Sequence, residues 1–368
     1  TGPDVMLSGG LRYFLPRSAN SKTSPVYTEL VNRRAIPVTV KSKRKDTINV
    51  LEYARSEAGY ELAFSREDLN AAHGPKVLGL FNSSGMPDAI DETWQRSDPA
   101  RRWPTLDEMT TRALDILDND PDGFFLMVEA GQIDWAEHNQ DAGQLLHEML
   151  RLDRTLEVIR TWATGRDDTV IIITADHDTG GFTMTYTAND LPNTPNPVPG
   201  TLFRDRDYQP GNNYGRFDVF DRLYDQKMSS ATLLFRFDKL PEKERTPQAL
   251  AAMIEQNTGV SISIGDALRI LRKRENPYYV EGDDALGIHV VPDMGDDQAF
   301  FTTSLNMLCG LIARRTGIDQ NITWSTGTHS ATPVPVIVLG PERVRAMFPG
   351  VMHLTDLGKI MKRLVDSE

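Results

Sequence analysis

Two apolar runs of strand length, Phe124–Val128 and Thr169–Thr174, each end in a cluster of carboxylate and imidazole side chains, with one long helical pattern between them. The first run is bounded by Gly123 and leads to Glu129, Asp134 and His138; the second leads to Asp176 and His177. Short runs this apolar, the second rich in β-branched residues, predict strands covered on both faces. Between them Leu145, Met149, Leu152, Leu156 and Ile159 mark a long amphipathic helix. Upstream, Thr105-Leu-Asp-Glu108 has the form of a capping box opening a helix with Leu106, Met109, Ala113 and Leu117 on one face. This alternation predicts an α/β fold with a mostly parallel central sheet flanked by helices. Such sheets gather ligand-binding residues at the carboxyl ends of their strands, where Glu129 and the Asp176–His177 pair stand.

A chain that turns helical after Ile133 places Asp134 and His138 at i and i+4 on one face, close enough to grip a single ion. Carboxylate and imidazole together suit zinc, whose tetrahedral shell leaves room for a third protein ligand and for water or substrate. Adjacent strand residues point to opposite faces, so Asp176 and His177 share an ion only if the strand has already ended. Asp178-Thr-Gly-Gly181 supplies turn chemistry for that ending. His329, in Trp324-Ser-Thr-Gly-Thr-His-Ser-Ala-Thr-Pro333 ahead of the apolar run Val334–Leu339, could close either zinc site. An isolated Asp-x-x-x-His on a helix is more often a surface pair than a ligand pair. Three such clusters in one chain, two of them at the ends of apolar runs, make a metal site the stronger reading. Of the other histidines, His147 reads as a polar helix-surface residue, and His73 and His353 as surface residues. His289 reads as a satisfied strand histidine, with an accessory ligand as the alternative.

Glu129-x4-Asp134-x3-His138, then Thr174-Ala-Asp-His177, then Gly327-Thr-His329 with Pro333-Val-Pro335 behind it, resemble the metal-ligand motifs of alkaline phosphatases in order and spacing. Pro3–Gly10, Val77–Phe81 with Met86-Pro87, and Pro104–Met109 also look like segments of that family. The resemblance covers residues 1 to about 186 and about 320 to 368. It implies that Asp134, His138 and His329 hold a first zinc, Asp176 and His177 a second, and Glu129 a magnesium ion, which prefers oxygen ligands. Trp135 stands where some bacterial members carry lysine and where Vibrio-like enzymes carry tryptophan, so the likeness is to the bacterial, Vibrio-like type and no cationic help is expected there. The family's Asp-Ser-Ala nucleophile motif has no counterpart: the one Asp-Ser pair is Asp366-Ser367, with no metal-binding residue near it in sequence. The aspartate that bridges the second zinc and magnesium, the hydroxyl ligand to magnesium and the phosphate-clamping arginine are missing too. The chain is therefore expected to be the C-terminal portion of an alkaline phosphatase. The resemblance implies phosphomonoester hydrolysis through a phosphoserine, with inorganic phosphate as product, in a periplasmic or secreted homodimer. Phosphodiesterases, sulfatases and phosphomutases of the same superfamily, or a non-catalytic metal-binding unit, are the alternatives.

Composition limits the rest. A chain of 368 residues holds about two domains on the usual length prior. The net charge of -12 argues against a nucleic-acid backbone as partner, but not against phosphate esters, since bound divalent cations locally reverse an acidic field. Cys309 is the only cysteine, so no internal disulfide forms, and its apolar neighbours predict a buried packing role. No apolar run approaches the roughly 20 residues of a membrane span. Residues 1–186 and 320–368 are read as the metal-binding α/β core, and 187–319 as a crown-type insertion. Within the insertion, Leu191–Gly200 is too rich in proline for a regular element. Thr246-Pro247 opens a helix through about Glu255, and Ile264–Arg274 forms another, with Arg269, Arg272, Lys273 and Arg274 on its solvated face.

Overall fold

In a computed structural model of the protein, the described residues are 2–32, 41–185, 196–197, 207–208, 218–283, 286–295 and 303–366. They form two compact units, one of Thr1–Ala130, Met149–Val170 and Gly340–Glu368, the other of Gly131–Glu148 and Ile171–Leu339. The described residues of the range 187–319 fall in the second unit. Among the described residues, no helix is long and apolar enough to cross a membrane.

The first unit is built on a parallel sheet of β1 (Val5–Ser8), β2 (Glu61–Ala63) and β3 (Val77–Leu80), in the order β1-β3-β2. Central β3 is buried throughout because both of its faces are covered: Leu78 and Leu80 pack with Leu11, Leu15, Leu30 and Phe64, while Val77 packs with Leu69, Phe81 and Met109. That two-sided cover is why its sequence is a continuous apolar run. Helix α1 (Leu106–Leu117) opens with the expected capping box, Thr105 and Glu108 each satisfying the other's backbone N–H. Glu108 also accepts two hydrogen bonds from the buried Arg101 guanidinium, at 2.9 and 2.8 Å.

Phe124–Val128 is a correction: it belongs to no strand, and Phe125 and Met127 are 57% and 73% exposed. An apolar run becomes a strand only when its N–H and C=O groups find a ladder, and among the described residues none pairs with it. Phe124 instead sets its ring 5.6 Å from that of Trp162.

Two helices follow, α2 (Gln132–His138) in the second unit and α3 (Ala142–Ala163), whose residues are divided between the units. On α3 the expected apolar face is met in part: Leu145 is buried and Leu152, Leu156 and Ile159 are half-buried, but polar residues share the interior. Met149 is 48% exposed, whereas Gln144, His147, Glu148, Arg151 and Thr155 are buried. Polar groups can face inward when they are satisfied. Arg151 donates to the carbonyl of Pro87 at 3.1 Å and lies 3.6 Å from buried Glu92, which also binds Arg96 at 2.9 Å and Arg154 at 3.1 Å. His147, expected at the surface, is fully buried, with Nε2 2.9 Å from the Tyr224 carbonyl and its ring stacked on that of Tyr224.

In the second unit β4 (Ile171–Ile173) pairs with a strand near the C-terminal end of the chain, and the pairing is antiparallel, not parallel as its neighbours in sequence suggest. After a two-residue strand β5 (Asp178–Thr179), two more strands complete this region, β6 (His329–Ser330) against β5 and β7 (Ile337–Leu339) against β4. Helix α4 (Pro247–Thr258) has the expected Thr246 cap and Pro247 at its start. The helix expected through Arg274 stops at Leu271, and Lys273–Glu275 instead form a strand against Val290–Pro292. Arg272 there pairs with Asp293 at 2.7 Å. These helices share a core of Leu233, Leu250, Ile254, Ile270 and Ile312 that includes buried Cys309. The proline-rich Leu191–Gly200 lies outside the described residues except for residues 196–197.

Candidate metal centre

Helix α2 carries Asp134 in its first turn, where its carboxylate suits the helix dipole, and His138 in its last, so that the two lie on one face at i and i+4. His138 Nε2 is 3.5 Å from Asp134 Oδ1. Strand β4 ends at Ile173, so Asp176 and His177 lie beyond it, as a shared ion would require. The β5–β6 ladder then sets His329 opposite Thr179 and Ser330 opposite Asp178. Ser330 Oγ donates to Asp178 Oδ2 at 2.5 Å, fastening that register.

The result is convergence. One ligand atom each from Asp134, His177 and His329 lies within 4.8 Å of the other two, the one such group among the described residues. His138 Nε2 is 3.1 Å from His329 Nε2, and the His177 and His329 rings stack with centroids 3.6 Å apart. Asp176 is mostly exposed, with Oδ2 3.3 Å from His177 Nε2. Glu129 is exposed and belongs to the first unit. His73 and His353 are exposed, and His289 stacks on Tyr279 at 3.8 Å.

Hydrogen bonding decides which nitrogens are free. His138 Nδ1 lies 2.8 Å from the Gly327 carbonyl, which can only accept, so Nδ1 carries the proton and Nε2 presents its lone pair. The Thr179 hydroxyl, almost wholly buried, donates to Asp134 Oδ1 at 2.7 Å. Its one proton is then spent, so its 3.2 Å contact with His177 Nδ1 has the imidazole donating, which frees His177 Nε2. Two imidazole nitrogens 3.1 Å apart need a proton or a cation between them, and carboxylate with imidazole is a zinc donor set. The residues fit a metal ion.

The surroundings are acidic and closely packed. Glu137, on α2 between two candidate ligands, is pushed up to about 7 by burial first and then by the negative charges of Asp178 and Asp134. Gly180 and Gly181 both have positive φ, 75° and 57°. A Cβ on Gly180 would stand 2.9 Å from the Trp324 ring, and one on Gly181 only 1.9 Å from Ser325 Oγ. Glycine here lets the loop after β5 pass against the segment that leads to His329. Sequence reasoning missed Thr179, Glu137 and the Gly327 carbonyl. Thr179 stood within the turn Asp178-Thr-Gly-Gly181 and Glu137 beside His138, but a backbone carbonyl leaves no mark in a sequence.

The family model for alkaline phosphatase matches residues 2–202, a span that contains Glu129, Asp134, His138, Asp176 and His177. The chain belongs to the alkaline phosphatase family. Alkaline phosphatase 3 of Bacillus subtilis is 35% identical over 174 residues, 46% of this chain and 36% of that protein. The tissue-nonspecific alkaline phosphatase of Homo sapiens is 30% identical over 191 residues, 49% of this chain and 33% of that protein. The chain thus spans about a third of the length of these curated relatives. Among solved structures, alkaline phosphatase from Thermus thermophilus superposes with a TM-score of 0.61 at 24% identity, over 92% of this chain and 57% of that one. The cold-active enzyme from Shewanella gives 0.58 at 21% identity, over 99% and 66%. The alkaline phosphatase fold therefore extends past residue 202 to the part of the chain that carries His329.

Proposed function

We propose that this chain supplies the metal-holding part of a phosphomonoester hydrolase that uses two zinc ions and one magnesium ion. Asp134, His138 and His329 hold the first zinc, Asp176 and His177 the second, and Glu129 the magnesium. The observation that carries this reading is the convergence of Asp134, His177 and His329 with His138, from three separate segments of sequence, in an alkaline phosphatase chain. When bound, the zinc pair supplies Lewis acidity to the attacking and leaving sides of an in-line phosphoryl transfer.

The chain's own residues do the holding. The Gly327 carbonyl keeps the His138 proton on Nδ1, and Thr179 holds the Asp134 carboxylate and His177 in one orientation. The serine nucleophile of a phosphoserine route is contributed by residues not in this sequence, which has no Asp-Ser-Ala motif. Residues 187–319 form an insertion on the α/β core, and a homodimer in a periplasmic or secreted location belongs to the same proposal.

Zinc counting by atomic emission after dialysis, together with p-nitrophenyl phosphate hydrolysis, tests this reading. The chain alone is expected to retain zinc, to lose it on Asp134→Ala with His329→Ala, and to show no steady turnover. No retained zinc would sink the ligand assignment. Steady hydrolysis abolished by a chelator would instead place the nucleophile within this sequence.

A further inference from the structure

Immediately after the ligand helix the backbone enters a disfavoured region. Gln140 has φ 52°, and among the described residues Asn321 is the only other non-glycine residue with positive φ. Asparagine tolerates the left-handed region, but glutamine rarely occupies it, and such a conformation persists only where its surroundings enforce it. Gln140 is buried, its N–H donates to the Glu137 carbonyl at 2.9 Å, and its side-chain Nε2 donates to the Thr326 carbonyl at 2.7 Å. The next carbonyl along, that of Gly327, takes the His138 Nδ1 proton. Two side chains from one turn, 138 and 140, thus grip two consecutive carbonyls of the loop that delivers His329. Asp141 anchors the same turn from behind, its carboxylate accepting from the N–H groups of Gln144 and Ser230 and from Gln226 Nε2.

We propose that Gln140 is a positioning residue for the metal centre, its amide fixing the separation of α2 from the 326–329 loop and hence of Asp134 and His138 from His329. The proposal rests on the reading that these three side chains bind zinc. Gln140 acts through the Thr326 carbonyl. Its left-handed backbone aims the side chain across to that carbonyl, which a helical continuation from His138 would not do.

The test is zinc affinity measured against a competing chelator in the whole chain, with the visible absorption of the cobalt(II)-substituted protein as a report on ligand geometry. Gln140→Gly accepts the positive φ and removes only the amide. Gln140→Asn keeps an amide too short to reach Thr326 and carries the same comparison should the glycine variant not fold. Thr246→Ala, which strips the cap of α4 in the same unit, is the control for general loosening. The expected result is about tenfold weaker zinc binding and an altered cobalt spectrum in both Gln140 variants, with Thr246→Ala unchanged in both. Parent-like affinity and spectrum in the Gln140 variants overturn the proposal, and so does an equal loss in Thr246→Ala. A parent chain that binds no zinc overturns the ligand assignment itself, and this inference with it.

Discussion

At the scale of single residues, the candidate centre is governed by where protons sit. His138 and His177 are both held through Nδ1, one by a backbone carbonyl and one by a hydroxyl whose own proton is committed to Asp134. Glu137 shows the cost of the acidic surroundings. Its folded pKa, about 7, stands above the ordinary 4.5, so the fold favours the protonated form. The stability this contributes is fully present below about pH 4.5 and is lost as pH rises through about 7. Glu137→Gln, neutral throughout, should leave the melting temperature of metal-free protein unchanged near pH 4.5. Above neutrality the variant should be the more stable by on the order of 1 kcal/mol, allowing for solvent screening of a partly exposed carboxyl. Melting curves that stay parallel from acid to alkaline pH would remove this account. A bound cation opposes the same shift, because its charge favours carboxylate.

Elements differ in how much of their character is local. The caps of α1 and α4 form where Thr105, Glu108, Thr246 and Pro247 predict them, since a capping hydrogen bond spans only three residues. The buried face of α3 is only partly local. Apolar periodicity selects Met149 and Leu152, whereas the fold also buries Gln144, His147, Arg151 and Thr155 because carbonyls and carboxylates distant in sequence satisfy them. Glu92, 2% exposed and facing Arg96, Arg151 and Arg154, is the largest such commitment. Glu92→Ala strands buried guanidinium charge and should cost about 3–5 kcal/mol in urea unfolding, far more than breaking an exposed, solvent-screened pair such as Glu157–Arg160. A loss for Glu92→Ala as small as that of the exposed pair would mean its charges are hydrated. Phe124–Val128 shows the same dependence in a would-be strand: an apolar run supplies the side chains, and only a neighbour supplies the ladder.

For the molecule as a whole, both compact units are assembled from separated stretches of chain, and the four converging side chains all belong to the second. A ligand that binds only the folded state stabilises it by mass action, so zinc at 100 times its dissociation constant should add about 2.7 kcal/mol to unfolding. Gains in amide protection on zinc addition are expected around residues 131–141, 174–181 and 322–330, followed by hydrogen exchange and mass spectrometry. Protection spread evenly over both units, with no gain in these three stretches, would contradict a centre built from them. The net charge of -12 makes the metal-free chain self-repelling, and divalent cations relieve that locally.

The sequence by itself determined the candidate carboxylates and imidazoles, the i and i+4 placement of Asp134 and His138 on a helix, and membership of an α/β family. All of these depend on spacing over a few residues or on motifs whose order can be read directly. Tertiary structure alone decided that β4 pairs antiparallel to β7, that His147 is buried, and that His138 is oriented by Gly327 with Gln140 gripping the adjacent carbonyl. The His138–Gly327 contact joins positions 189 residues apart. It ends on a main-chain oxygen that every residue possesses, so no residue type announces it, and only the folded path of the chain brings that oxygen to the imidazole.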